Sequence, residues 1–518
     1  MPNTIRFCRS LPLLLCMFAA GAGAQSFRVQ CPTTTALHPT PATVANPNPT
    51  GGSIKCQQIS GGDGFATMAD GTQTYLFAFG PLSGLAEIVS GRPGTQPPSV
   101  FNQVSPAGSG TPSTLVGMPN PDFTFNGAIG LTPDPESTPP NQLNGHVDPR
   151  QIMDVGVMNG NQPAPLMAID EDDEFFLTLT NVGQVMRPDL FEQHTVHFHG
   201  YPNASAFYDG VPDASVAINI GGSFTYYYLA PDAGTYFWHC HITPPEHLQM
   251  GMVGQIFVRP RQNRTTAGGD LGVALKGQQA DNRTRCTDDI LCSNPLPAGA
   301  NPVTGATGIA HLAGIKYAYN DGDASTRYDV EYPLQMMGFD PNFHFVGMTF
   351  NPEAFTDMKD KYFLLNGRGY PDTINPTALS TQSTDGVARH SQPLPALVNI
   401  PLGGRALLRL SDLNVSEYHT LASLGISMRV IAINAKLLRD QDGNNLAYDT
   451  NSITLGGGES LDVILDASDT ARYPAGSVFY LFTPQLDHLS NDAENFGGMM
   501  TEVKICPGAV NPATKQCS

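Results

Sequence analysis

The sequence predicts an all-β chain built as two β-sandwiches. Three observations carry this. Short apolar or alternating runs of strand length are separated by Gly, Pro, Asn and Asp clusters, sustained helical periodicity is scarce, and motifs of the first half return in the second. At 518 residues the chain exceeds one ordinary domain.

Taken in order, residues 1–24 read as an export signal. Arg6 and Arg9 form the charged start, Leu11 to Ala20 the apolar run, and Ala22-Gly23-Ala24 a small-residue cleavage site. The apolar run is too short to span a bilayer, and no later stretch is apolar enough to cross one. Residues 25–60, rich in Pro, Thr, Asn and Gly, read as a flexible arm. The first sandwich is expected over residues 61–260, with strands at Thr74 to Phe79, Phe175 to Leu179, Ser223 to Leu229 and Gly254 to Val258. Residues 91–147 form a Pro/Gly/Ser-rich insertion within it, long enough to serve as a lid or partner surface. Residues 261–308 read as a linker, 309–508 as the second sandwich, and 509–518 as a tail.

Once Cys8 and Cys16 leave with the signal, seven of the nine cysteines remain. Six sort into local neighbours, Cys31 with Cys56, Cys286 with Cys292 and Cys506 with Cys517, which an exported chain can oxidise to disulfides. Cys240 is left over, flanked by histidines, and reads as a metal ligand. The net charge of -19 disfavours nucleic acid and anionic membranes as partners. It suits cationic substrates and also simple solubility.

The chemistry concentrates in two segments, His194-Thr195-Val196-His197-Phe198-His199-Gly200 and Trp238-His239-Cys240-His241, the latter followed by His247, Met250 and Met252. Two imidazoles, a thiolate and a long axial thioether are the ligands of a blue-copper site. Alternation along a strand puts His239 and His241 on one face and Cys240 on the other, and puts His197 and His199 together. Two metal sites back to back follow. His194, Cys240, His247 and Met252 make one, with Met250 a competing axial ligand. His197, His199, His239 and His241 make the other.

These segments resemble the multicopper oxidases, laccase-like and metal-oxidising enzymes built from cupredoxin domains. The resemblance also covers Asn159-Gly160, Asp209-Gly210-Val211-Pro212 and Gly222-Ser223-Phe224-Thr225-Tyr226. It is strong over residues 150–260 and weak over 310–508, where Leu365-Asn366-Gly367 and the repeat carry it. The resemblance implies Greek-key cupredoxin folds and a type 1 copper on His194, Cys240, His247 and Met252. It implies type 2 or type 3 coppers on His197 and His241, with His199 and His239 beside them. The implied activity is oxidation of a phenolic or metal-ion donor at type 1 copper. Electrons then pass through Cys240 and its neighbours His239 and His241, the catalytic set, to a cluster that reduces O2 to water.

The second half repeats the frame without the ligands. His197 and His199 correspond to Ala422 and Leu424, and His239, Cys240 and His241 to Leu481, Phe482 and Thr483, while Gly251-Met252 returns as Gly498-Met499. Two departures stand out. The Cys240-to-His247 spacing is two residues longer than in typical laccases, with Pro244-Pro245 in the extension. The family's cluster also uses four His-x-His pairs where this chain offers two. A second subunit supplying the remainder across an interface between first domains is the expected resolution, which implies a homo-oligomer. Copper nitrite reductase is the alternative enzyme, since His194, His199, His239 and Cys240 fit its frame. There His197 replaces the expected acid, and the second half offers only His419 or His488 to complete a type 2 site. A type 1 copper electron carrier is the alternative outside catalysis, and leaves His197, His199 and His241 without a task.

Overall fold

The computed structural model describes all residues except 1–26, 44–45, 47–50, 107–123, 201–204, 231, 282–285, 288–290, 349–353, 383, 385, 387 and 492–493. The expected export signal lies outside the described residues.

Among the described residues eight strands build the first sandwich. One sheet has the order β2 (Gln73–Pro81), β1 (Ile54–Thr67), β4 (Glu174–Gly183), β6 (Ser223–Leu229). The facing sheet has the order β3 (Met167–Asp170), β8 (Val253–Arg259), β7 (Gly234–His239), β5 (His197–Phe198). Their inner faces share one core, with Ile59, Phe77, Phe175, Leu177 and Tyr226 from the first sheet against Met167, Phe198, Tyr236, Trp238 and Ile256 from the second. Burial of these aliphatic and aromatic side chains is what drives the sheets together.

A short ladder of β9 (Lys316–Tyr317) with β10 (Arg327–Tyr328) leads into the second sandwich. Its larger sheet runs β12 (Tyr362–Leu365), β11 (Val330–Phe339), β16 (Arg405–Asp412), β22 (Ser460–Asp466), β18 (Met428–Ile433), β19 (Lys436–Leu437), with β20 (Tyr448–Thr450) also on β18. A hairpin of β13 (Leu379–Gln382) and β14 (Ala388–Gln392) stands beside it. The smaller sheet runs β15 (Val398–Ile400), β24 (Met500–Ile505), β23 (Val478–Phe482), β17 (His419–Leu424), β21 (Ser452–Leu455). Leu334, Leu408 and Val463 meet Val398, Leu421, Leu481 and Val503 between the two sheets.

The two sandwiches share one wiring. The parallel pair β1 with β4 has its counterpart in β11 with β16, and β3 with β8 in β15 with β24. The chain is therefore two cupredoxin-like sandwiches in tandem. The ladders also correct the sequence register of the repeat. His197 pairs with His239 in the first sandwich and Ala422 with Phe482 in the second, so His239 corresponds to Phe482. The Cys240 amide donates to the Met252 carbonyl as the Thr483 amide donates to that of Met499. Cys240 thus corresponds to Thr483 and His241 to Pro484, one residue beyond the match drawn from sequence. A short motif match cannot detect a one-residue offset, whereas hydrogen-bond register can.

Three stretches take more structure than their composition announced. Strand β1 begins at Ile54, inside the expected arm. The described part of the 91–147 insertion places Phe101, Ile129, Leu131 and Val147 in a side core with Val29, Ile54 and Leu82. Residues 261–308 contain a helix at Leu271–Gln278, capped by Asp270, and Arg261 pairs with Asp172 on the first sandwich. The disulfides Cys31–Cys56, Cys286–Cys292 and Cys506–Cys517 are formed, and Cys240 is a free, buried thiol. Among the described residues no helix is long and apolar enough to cross a membrane.

The sandwiches are fastened face to edge. Thr235 on β7 donates to Asp462 on β22 at 2.6 Å, Gln255 on β8 donates to Ser411 at 2.8 Å, and Arg259 pairs with Glu331 on β11 at 2.6 Å. The fastening involves the same strand that ends in His239, so the second sandwich lies directly behind the copper-ligand candidates.

Candidate metal centre

Strand β7 ends at His239, and the backbone keeps its alternation for two more residues because the Cys240 amide is held by Met252 and the His241 amide by the Thr195 hydroxyl at 2.9 Å. After this the chain turns at Thr243, whose φ is 37°, into α1 (Pro244–Met250). Pro244-Pro245, read from sequence as an extension, is the first turn of this helix, where a missing amide hydrogen costs nothing. Gly251, at φ 118°, ends it in the left-handed region. The Met252 amide then donates back to the His247 carbonyl at 2.8 Å. This short helix returns His247 and Met252 to the Cys240 side.

His194, Cys240 and His247 are all buried, with potential ligand atoms within 4.8 Å of one another. His247 Nδ1 stands 3.2 Å from Cys240 Sγ, and the Thr195 amide donates to the same sulfur at 3.4 Å. A Cβ built on Gly61 would meet His194 Cδ2 at 2.6 Å and the Met252 methyl at 3.2 Å, so His194 and Met252 border one point and only glycine leaves them room. Met252, preferred from the sequence spacing, is thereby beside His194, while Met250 belongs to α1 and the sandwich core.

The electrostatics suit a metal. Burial lowers the His194 imidazole to about 3 and drives His247 well below its ordinary value, so both rings are neutral and carry a free lone pair at neutral pH. Neither ring nitrogen of His194 makes a hydrogen bond of good geometry, an unusual expense for a fully buried polar group. Burial also raises the Cys240 thiol to about 11, so a thiolate forms there only when a cation displaces the proton. Two neutral imidazoles, a displaceable thiol proton and a thioether fit copper.

On the opposite face, His197, His199 and His239 form a second group within 4.8 Å. His199 Nε2 and His239 Nε2 are 3.0 Å apart, and the His241 ring lies 5.0 Å from that of His197 and 5.5 Å from that of His239. Both faces predicted by alternation are therefore assembled. Burial pushes His239 down to about 3, and burial with the neighbouring His197 pushes His199 down to about 4. The rings are oriented from behind. His197 Nδ1 is held by the Asp209 carbonyl at 2.7 Å, and His239 Nδ1 by the Cys240 carbonyl at 2.6 Å. Such outer partners leave the Nε2 atoms of these two rings free to face the cluster. The Asp209 contact depends on Gly210, at φ 83°, where a Cβ would collide with the Val196 carbonyl.

Sequence reasoning missed several participants. Glu192 places a carboxylate oxygen 3.8 Å from His247 Nε2, at the rim of the Cys240 site. From the second sandwich, Gly458 lies so close to His199 that a Cβ there would be 2.6 Å from Nδ1. Asn434, Gly458 and Ser460 also line a cavity of about 240 Å³ with His199 and Phe237. Asp209 entered the sequence reading only through the Asp209-Gly210-Val211-Pro212 motif of the resemblance, with no contact to His197 assigned to it.

The remaining histidines take other partners. His38 meets Glu174, His311 meets Tyr317, and His344 is held between two carbonyls. His419 and His488 sit together inside the second sandwich, rings 5.7 Å apart, with Asp412 on His419 and Glu417 on His488. The Met499 amide donates to the His488 carbonyl as that of Met252 does to His247. These two rings thus occupy the places of His194 and His247, with Thr483 where the thiol would be and Phe363 stacked on His488 at 3.8 Å. Neither joins the four-histidine group.

Comparison with known proteins follows the same residues. The family model described as multicopper oxidase matches residues 143–263. Over 109 residues the chain is 34% identical to a laccase of Aspergillus fumigatus, covering 21% of this chain and 17% of the relative. It is 34% identical over 117 residues to the copper-containing nitrite reductase of Rhizobium meliloti, covering 22% of this chain and 28% of the relative. The chain thus aligns with less than a third of the length of either relative. Among solved structures, the multicopper oxidase mgLAC superposes over 89% of this chain and 88% of that chain, with 15% identity and a TM-score of 0.48. Both histidine segments and Cys240 thus lie inside the stretch, residues 143–263, that is similar to the multicopper oxidase family.

Proposed function

We propose that the chain is an exported, copper-dependent oxidoreductase that takes electrons from a phenolic or metal-ion donor and delivers them to O2. The observation that carries the reading is the position of Cys240. Its sulfur lies with His194 and His247, while its two chain neighbours, His239 and His241, belong to the group of four imidazoles on the other face. Bound copper would supply one-electron chemistry at the first group and reduction of O2 to water at the second.

The chain's own residues do the rest. His194, Cys240, His247 and Met252 would hold type 1 copper, and His197, His199, His239 and His241 the type 2 or type 3 coppers. The covalent path from Cys240 to His239 and His241 couples the two groups without a diffusing carrier. Glu192 beside His247 marks the side at which a donor approaches, since a carboxylate there attracts a cation or accepts a phenolic proton. Because only two His-x-His pairs are present, a second subunit would supply further ligands, making the active form a homo-oligomer.

Nitrite reduction is the second reading, favoured by the close His199–His239 pair and the nitrite reductase likeness. Copper-loaded protein should consume O2 with a phenol, Fe(II), Mn(II) or Cu(I) as donor. Turnover of nitrite with no O2 uptake would replace the oxidase by the reductase.

A further inference from the structure

Helix α1, which carries His247, packs Leu248 and Met250 against apolar residues of the second sandwich and is hydrogen-bonded to it through Gln249. Gln249 is buried, two positions beyond His247. Its Nε2 donates to Asp360 Oδ1 at 2.9 Å, and its Oε1 accepts from the Asp340 amide at 3.0 Å. Its backbone carbonyl faces His344 Nε2 at 2.9 Å, and the other ring nitrogen of His344 faces the Tyr75 carbonyl on β2 at 2.6 Å. Asp340 follows β11, His344 lies on α2 (Pro341–Met348), and Asp360 precedes β12, so every one of these partners belongs to the second sandwich except Tyr75. The anchor is itself supported. The His344 ring stacks on Phe339 at 3.6 Å, the Ser416 hydroxyl donates to the other oxygen of Asp360, and Asp340 Oδ1 caps the start of α2 through the Asn342 and Phe343 amides.

A helix of seven residues has little stability of its own. Its first-turn amides and last-turn carbonyls need outside partners, and its orientation follows whatever holds it. Both ends of the Gln249 side chain are so held, while on the other flank His247 Nδ1 reaches Cys240 Sγ. We infer that Gln249 is a positioning residue through which the second, ligand-depleted sandwich sets the orientation of His247 at the copper centre of the first. The inference rests on the copper reading above and gives the second sandwich a task that its lost ligands do not explain. Loss of this anchor would let α1 rotate or fray, altering the His247 and Met252 positions while leaving Cys240, His194 and the four-imidazole group in place.

The test uses the full chain with Gln249→Leu, which removes both side-chain bonds, and Asp360→Ala, which removes one from the far side. Asp360→Asn is the conservative partner, because an amide oxygen still accepts from Gln249. Two readouts are taken. In metal-free protein, hydrogen exchange of the α1 amides should accelerate at least about tenfold in Gln249→Leu and Asp360→Ala, as expected when net hydrogen bonds are lost from a local unit. After loading with Cu(II), the sulfur-to-copper absorption band and the EPR hyperfine splitting of the Cys240 site should shift in the same two variants. Asp360→Asn should match wild type in both. Wild-type exchange and spectra in Gln249→Leu and Asp360→Ala would overturn the inference, and so would an Asp360→Asn change as large as that of Asp360→Ala. If wild type itself shows no such band, the copper reading fails, while the exchange measurement still decides whether Gln249 anchors α1.

Discussion

His199 and His239 meet nitrogen to nitrogen, Nε2 to Nε2 at 3.0 Å, across the ladder that pairs His197 with His239. Two buried lone pairs pointed at each other are unfavourable unless a proton or a cation lies between them. An N–H···N hydrogen bond satisfies the pair in the metal-free chain, and under the proposed copper reading these two imidazoles would turn to the metal on their face of the strand instead. His199→Ala or His239→Ala should remove copper from this face and abolish O2 uptake, with the visible band of the Cys240 site retained. Copper per chain and the optical spectrum of each variant check this. Loss of the band along with O2 uptake would mean that the two faces are not separate sites.

Cys240 should give up its proton to copper. With the thiol raised to about 11, the metal-free chain is protonated there at pH 7, and Cu(II) uptake should release one further proton in wild type relative to Cys240→Ser. Titration calorimetry in buffers of different ionisation enthalpy counts that proton. Cys240→Ser should also lose the sulfur-to-copper band entirely.

Acid should destabilise the metal-free protein through its buried imidazoles. His194 is held near 3 by burial, against about 6.5 in an unfolded chain. As pH falls below about 6.5, the unfolded chain takes up a proton that the folded chain refuses. The contribution of His194 is therefore complete above about 6.5 and is lost as pH falls toward 3. Between pH 7 and pH 5 this amounts to roughly 2 kcal/mol. Thermal unfolding of metal-free wild type should fall more steeply over that interval than that of His194→Gln. Equal slopes would show that His194 is not a neutral buried ring.

Gly458 should not tolerate a side chain. Its φ of 88° disfavours any L-residue, and a Cβ would press on His199 Nδ1. Gly458→Ala should cost about 1 kcal/mol or more in stability and lower the copper bound on the imidazole face. Full copper occupancy at wild-type stability would show that the second sandwich does not confine His199.

Glu192 should discriminate among donors. Glu192→Gln is expected to lower kcat/KM for Fe(II) or Mn(II) roughly fivefold, the size of one partly screened charge contact. A neutral donor with no acidic proton should be little affected. Equal losses for both donor types would assign Glu192 to the structure of the His247 rim and not to donor binding.

The copper-ligand candidates were legible because their geometry is local. Alternation along an extended strand separates Cys240 from His239 and His241 with no knowledge of the rest of the fold, and the His-x-His spacing does the same for His197 and His199. Pairing Cys31, Cys56, Cys286, Cys292, Cys506 and Cys517 by proximity was an expectation that sequence alone does not fix, and the structure forms those three bridges. What long-range contacts decide was not legible. Gly458 reaches His199 across more than 250 positions, and Asp360 reaches Gln249 at a sequence separation of 111, so neither leaves a local trace. Pro244-Pro245 looked like added loop because the rule that admits proline to a helix start applies only once the helix is known. The repeat was visible, yet its register was off by one at His239, because sequence matching weighs residue types while the ladder counts hydrogen bonds.

The most direct test is the number of coppers per chain in copper-loaded protein, measured with the mass in solution and O2 uptake. The account predicts a blue chain that binds copper on both faces of the His239-Cys240-His241 segment, consumes O2, and has the mass of an oligomer. One copper per chain, confined to the Cys240 site with no O2 uptake, would contradict it and leave an electron carrier in place of an oxidase.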